Sequence, residues 1–181
     1  MLDFYLHAYK QDKGTNAFNA PHKYRFALKK GMDTEHYLNA WERGKNEVLK
    51  LLYDKINGFI VEGEYFGFIT PPSRTHLFVD DIRKYILETF PLAVDLSDCF
   101  SKTKSFDAGA SENQLSDQEL KDIFKLDDNL YESKNKEGIN TIFILDDVYA
   151  KGNTCKGIYL ALTEHDSTKT IRKGVILNTN E

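Results

Sequence analysis

Asp146 and Asp147 stand side by side directly after four apolar residues, Ile142 to Leu145, and are followed by "VYAKGNT", a short run that contains Gly152 and Thr154. Two adjacent carboxylates offer several acceptor sites, which suits neighbouring hydroxyls such as those of a sugar. The segment behind them leads into a helical pattern. Its backbone N–H groups and the helix N-terminus therefore favour an anion, and the Thr154 hydroxyl adds a donor. Gly152 permits close backbone approach or a positive φ. A ligand with hydroxyls at one end and a phosphate at the other satisfies both halves without electrostatic conflict.

The same letters admit other readings. A hydrophobic strand ending in acids also occurs in P-loop NTPases, where an acid holds magnesium, but the GxxxxGK[ST] that must accompany it is missing upstream. A phospho-acceptor receiver domain likewise gathers acids at strand ends, normally with one of them near the chain start. Two solvated acids that open a turn are the purely structural alternative.

These residues need elements to hold them. "KEGINTIFILDD" reads as the most buried strand, and an uninterrupted apolar run of that length suits a central parallel strand covered on both faces. "TCKGIYLALTEHD" reads as the helix after its loop and "KGVILNT" as a closing strand. Upstream, "LDFYLHAY" and "HKYRFALKK" read as two short strands. Tyr37, Leu38, Trp41, Val48, Leu51 and Leu52 recur at helical spacing between a cap at Asp33 or Thr34 and a stop at Gly58, with Gly44 as the weak point. "GFIVEGEYFGFITPPS" predicts a strand or a pair of strands. "THLFVDDIRKYILETF" predicts a helix, "LAVDLSDCF" a strand, and residues 102 to 116 a mobile polar loop. Ser116 precedes Glu119 by three, the spacing of a capping box for a short helix. Alternating strands and helices give an α/β fold with a mainly parallel sheet flanked by helices.

The 181 residues, 41% of them hydrophobic, suffice for one domain that buries roughly 70% of its unfolded surface. A net charge of −4 leaves no global footprint for nucleic acid or an anionic membrane. Cys99 and Cys155 lie far apart with no CxxC partner, so no zinc signature or disulfide framework is present. No run approaches the ~18 apolar residues of a membrane helix, and "MLDFYLHAYKQDKG" lacks the pattern of a signal peptide. A cytoplasmic protein without a membrane partner is expected.

The complete pattern of four apolar residues, Asp-Asp, a hydrophobic residue, three variable positions, Gly, any residue and Thr resembles the phosphoribosyl-pyrophosphate (PRPP) motif of the type I phosphoribosyltransferase family. The resemblance implies that Asp146 and Asp147 contact the ribose hydroxyls at the catalytic centre, and that Ala150, Lys151, Gly152, Asn153 and Thr154 hold the 5′-phosphate. It also implies a loop for pyrophosphate after an early strand, for which "FITPPSRTH" offers Pro72, Ser73 and Arg74. An arginine supplies a fork of donors suited to a diphosphate. The polar loop would close over the reaction centre, with Lys102 and Lys104 beside the departing pyrophosphate. Residues 1 to 57 are the candidate hood over the acceptor, with Tyr24, Phe26 and Trp41 as aromatic candidates, and 58 to 181 the core of a single domain.

The implied activity is that of a pentosyltransferase: transfer of the phosphoribosyl group from PRPP to a nitrogen nucleophile, assisted by Mg²⁺ carried on PRPP, with the acceptor unidentified and a homodimer left open. Two departures bear on it. Lys151 stands where the family usually has threonine or a small residue, and Ala150 replaces an acid that serves some purine-specific members and cannot exchange a proton. A PRPP or nucleotide sensor without turnover therefore remains a second reading. "NQLSDQELKDIF" loosely resembles a segment of the competence-associated, ComF-type branch through Leu115, Ser116, Glu119 and Phe124, but lacks its arginines. That leaves a nucleic-acid-related accessory role as a third.

Overall fold

The structure is a computed structural model and describes residues 2–8, 35–72, 76–103, 115–135, 138–149 and 152–178. Five strands form one sheet in the order β1 (Phe4–Ala8), β7 (Thr170–Asn178), β6 (Thr141–Tyr149), β2 (Phe66–Ile69) and β3 (Ala93–Asp95), every neighbour parallel. Helices flank both faces: α1 (Glu35–Asn57) and α2 (His76–Thr89) cover one, and α5 (Asn153–His165) covers the other. The α/β class with a parallel sheet is as expected, and β6 is interior.

Alternation along the strands divides the core in two. Phe66, Phe68, Phe143 and Leu145 pack with Val48, Leu52 and Ile56 of α1 and with Ile82 and Ile86 of α2. Ile69, Ile142, Ile144 and Val175 pack with Cys155, Ile158 and Leu162 of α5. Burial on both faces is why β6 carries no polar residue between Thr141 and Asp146.

The connections matter most for function. β2 runs through α2 to β3 on one side of the sheet, and β6 runs through α5 to β7 on the other. The two helices lie on opposite faces. Neighbouring strands thus send their chains apart at their carboxyl ends, which is the switch point where parallel sheets open a crevice for ligands.

Between β3 and β6 the chain forms a smaller layer. A 3-10 turn (Ser97–Cys99) leads into β4 (Phe100–Lys102), which pairs antiparallel with β5 (Phe124–Leu126), while α3 (Asp117–Ile123) and α4 (Asp128–Lys134) pack nearby. The capping box is present: Glu119 N–H donates to Ser116 Oγ, and Ser116 N–H donates to Glu119 Oε2 at 2.8 Å.

Several expectations need correction. "LAVDLSDCF" is not one strand but β3, the 3-10 turn and the start of β4. In "GFIVEGEYFGFITPPS" only Phe66–Ile69 is strand; Gly63 adopts φ 82 and turns the chain, and Val61 is exposed. β7 is the last strand in the chain, as expected, and sits inside the sheet because β1 pairs outside it. Phe4 of β1 and Val48, Leu52 and Ile56 of α1 belong to the sheet's own core. The candidate hood residues Tyr24 and Phe26, the second N-terminal strand and the cap at Asp33 or Thr34 lie outside the described residues, as does the side chain of Trp41. Among the described residues no helix is long and apolar enough to cross a membrane.

Candidate functional site

β6 does not stop at the acids. It pairs with β2 only as far as Ile144 opposite Ile69, then continues beside β7 until Tyr149 faces Asn178. Asp146 and Asp147 therefore sit on the stretch that overshoots β2, with a ladder on one flank and the crevice on the other. Asp146 follows Ile142 and Ile144 on the α5 face and is half-buried. Its Oδ2 lies 4.0 Å from Sγ of Cys155, a weak thiol donor in the first turn of α5. A carboxylate beside a helix N-terminus is favourably placed. Asp147 is placed by its backbone in β6; its side chain lies outside what is described.

The run into α5 is organised by Gly152, which caps the helix with φ 70 and ψ 11 in the left-handed region. Its carbonyl accepts from the N–H of Lys156 at 2.9 Å, and among the described residues no side chain caps the helix. The first-turn amides are thus not engaged by a capping side chain. Asn153 is buried, and its Nδ2 has no hydrogen-bond partner among the described residues. A buried amide donor without a partner costs about 1–3 kcal/mol, so an acceptor arriving there would recover that cost. Thr154 is half-buried next to it. Ala150 and Lys151 lie outside the described residues. Because an L-residue pays about 1–2 kcal/mol in the left-handed region and asparagine less, Gly152→Ala should destabilise the fold by about that amount and Gly152→Asn by less. Paired urea melts check the order.

The neighbouring wall comes from β2. The register of Ile69 with Ile144 puts Thr70 level with Leu145 and Pro71 level with Asp146. Thr70 is buried, and its N–H donates to Oγ of buried Ser97 at 3.0 Å, while the two hydroxyl oxygens lie 2.9 Å apart. Ser97 N–H donates to Asp95 Oδ1 at 2.8 Å, and Arg83 of α2 donates from Nε to Asp95 Oδ2 at 2.6 Å and from its other arm to Asp98 at 3.0 Å. Burial lowers the Arg83 pKa, but its hydrogen bond to Asp95 and the charges of Asp95 and Asp98 outweigh this and hold it above the ordinary arginine value. Pro72 is half-buried at this wall, whereas Ser73 and Arg74 lie outside the described residues.

Lys102 ends β4 with Nζ 5.9 Å from the ring centre of Phe124, which itself presses on Gly157 of α5. It is therefore on the α5 side of the sheet. Lys104 lies outside the described residues, together with the rest of the polar stretch 104–114. Lys156 meets Asp117 at 2.6 Å and Lys121 meets Glu164 at 2.9 Å, so α3 and α5 run side by side in the same direction. Their N-termini share one end of the molecule, and the chain re-enters at Leu115 close to the start of α5.

The structure thus brings Asp146, Gly152, Asn153, Thr154 and Pro72 to the carboxyl edge of two neighbouring strands. Sequence reasoning missed Thr70, Ser97 and the contact of Cys155 with Asp146. The pattern "SDC" after a short strand held the only hint, since serine and aspartate readily satisfy backbone donors at turns. Neither cysteine is in a disulfide, and both are buried. Among the described residues no group of three His, Cys, Asp or Glu is placed to hold a metal ion. Comparison with protein-family models, with curated proteins and with solved structures finds no match for this chain.

Proposed function

We propose that this chain binds PRPP at the crevice between β2 and β6 and transfers its phosphoribosyl group to a nitrogen nucleophile, in the manner of a type I phosphoribosyltransferase. One observation carries the reading: Asp146 overshoots β2 at the switch point, within reach of a helix N-terminus that Gly152 leaves without a side-chain cap. That combination suits a sugar whose hydroxyls meet the acid and whose phosphate meets the amides.

In this reading Asp146 and Asp147 orient the ribose, and residues 150 to 154 hold the 5′-phosphate. On a ribose the C1 substituent leaves the ring on the side away from the 5′ carbon, which directs the diphosphate towards the loop after β2, with Pro72, Ser73 and Arg74. The bond from C1 to the diphosphate oxygen breaks with its electron pair on oxygen as the acceptor nitrogen bonds to C1. The nitrogen's proton leaves to the diphosphate or to water, since Ala150 offers no base. Mg²⁺ bound through the diphosphate would supply charge neutralisation, and the oxygen-only chemistry of a carboxylate such as Asp146 is compatible with a hard cation nearby. Phosphate contacts remote from C1 help position the reacting carbon.

The alanine at position 150 also favours a second reading, the same site used for PRPP or nucleotide sensing without turnover. Titration calorimetry with Mg²⁺ and PRPP, followed by pyrophosphate release over a panel of nucleobases, separates them. Binding with release for one acceptor is the expected result. Binding without release for any acceptor would leave the sensor, and no binding would overturn both.

A further inference from the structure

The ladder between β2 and β3 ends unusually. Leu96 N–H donates to Phe68 O at 2.9 Å as the final rung. By the ladder's spacing the next acceptor for Thr70 N–H would be the carbonyl of Leu96, which accepts instead from Cys99 N–H at 3.1 Å. The chain instead turns into the 3-10 segment at Ser97, and the donor at Thr70 is met by the Ser97 hydroxyl. A side chain thus replaces a rung, which lets β3 leave the sheet while Thr70 stays level with Leu145, one residue before the acids of β6. A buried N–H left without an acceptor would otherwise destabilise this end of the sheet.

The hydroxyl is itself fixed. Ser97 is 6% exposed, its own N–H is held by Asp95, and Asp95 is held by Arg83 from the helix that begins beyond the same loop. Lys134 Nζ donates to the Asp95 carbonyl at 3.2 Å and lies 3.6 Å from Asp98 Oδ2. The network therefore ties the carboxyl ends of β2 and β3 to α2 and α4. Its members come from β2, β3, the 3-10 turn, α2 and α4; none is a residue of β6 or of the first turn of α5, where Asp146 and Gly152 stand.

We propose that Ser97 is a positioning residue for the diphosphate arm of the ligand: it sets the path of Thr70 to Pro72 and does not touch the sugar or the 5′-phosphate. This rests on the reading of the crevice as a PRPP site. It makes a selective claim, because ribose 5-phosphate carries the sugar and the 5′-phosphate but no diphosphate. A residue that merely supports the fold would affect both ligands alike.

The test is calorimetric titration of the full chain with PRPP plus Mg²⁺ and, separately, with ribose 5-phosphate, for wild type, Ser97→Ala, Ser97→Thr and Thr70→Val. Ser97→Ala should weaken PRPP about tenfold, the scale of one lost hydrogen bond, and leave ribose 5-phosphate within about twofold. Ser97→Thr keeps the hydroxyl and should restore PRPP affinity. If Ser97→Ala does not fold, Thr70→Val, which keeps the N–H bond and loses the hydroxyl contact, should show the same selectivity with a loss of about threefold. Equal losses for both ligands, or no loss, would overturn the positioning role while leaving the site intact. Wild type that binds ribose 5-phosphate but not PRPP would overturn the role as well, and with it the diphosphate arm; wild type that binds neither would sink the reading of the crevice itself.

Discussion

Asp146→Asn should lower PRPP affinity roughly 10- to 100-fold while the fold survives, because a hydrogen bond to an ionised acceptor contributes about 1.5–3 kcal/mol. Asparagine matches the carboxylate in shape and retains one acceptor oxygen, so what is lost is the charge and one of two sites for a sugar hydroxyl. Asp146 Oδ2 lies 4.0 Å from the thiol of Cys155 in the first turn of α5. Removing a carboxylate beside a helix N-terminus costs about 0.3–1 kcal/mol of stability, equivalent to a shift of only a few degrees. Calorimetry with PRPP and a thermal melt on the same preparation separate the two effects. Unchanged affinity at preserved stability would contradict the placement of the sugar at β6.

Gly157→Val should destabilise the protein by about 3 kcal/mol, lowering Tm by roughly 6–12 °C for a chain of this size. The sign is the informative part. In an unconstrained helix interior, glycine is itself unfavourable and a larger residue relieves part of that cost. Here an added Cβ would lie 2.4 Å from Cδ2 of Phe124 and 3.3 Å from the carbonyl oxygen of Leu120. Phe124 is buried and its strand is paired with β4 through Lys102, so the ring has little room to retreat. Glycine at 157 is what allows α3 and β5 to dock closely on α5. A Tm equal to or above wild type would show that this layer yields more readily than its packing indicates.

Where each feature was readable follows from the range of the interaction that makes it. The central strand announced itself because burial on both faces demands an unbroken apolar run, and the capping box did so because Ser116 and Glu119 are three residues apart. The short helix α4 was missed although Asp127 caps it by accepting from the N–H of Leu130, again a local signal. β1 falls within residues 1 to 57, the candidate hood segment of the single domain. Its true partner is β7, and Asp3 meets the backbone of Lys173 and the guanidinium of Arg172 across nearly the whole chain. No local pattern reports such a pairing. The same holds at the crevice: Asp146 and Gly152 form a contiguous motif, whereas Thr70 and Ser97 are 27 positions apart and meet only because β2 and β3 are neighbours.

The placement of β7 between β1 and β6 also has a temporal meaning. Phe4–Ala8 is synthesised before the other strands of the sheet, yet the strand it needs spans Thr170–Asn178. At typical translation speeds of about 5–20 residues per second, β1 waits on the order of 10 to 30 s for its partner. During that interval an apolar strand with Phe4 and Leu6 must be shielded by other means, and pairing over so long a separation is intrinsically slow. The sheet is therefore completed from both ends of its sequence at once, so a chain arrested before β7 would leave β1 without its ladder partner and Asp146 without the strand that supports its overshoot.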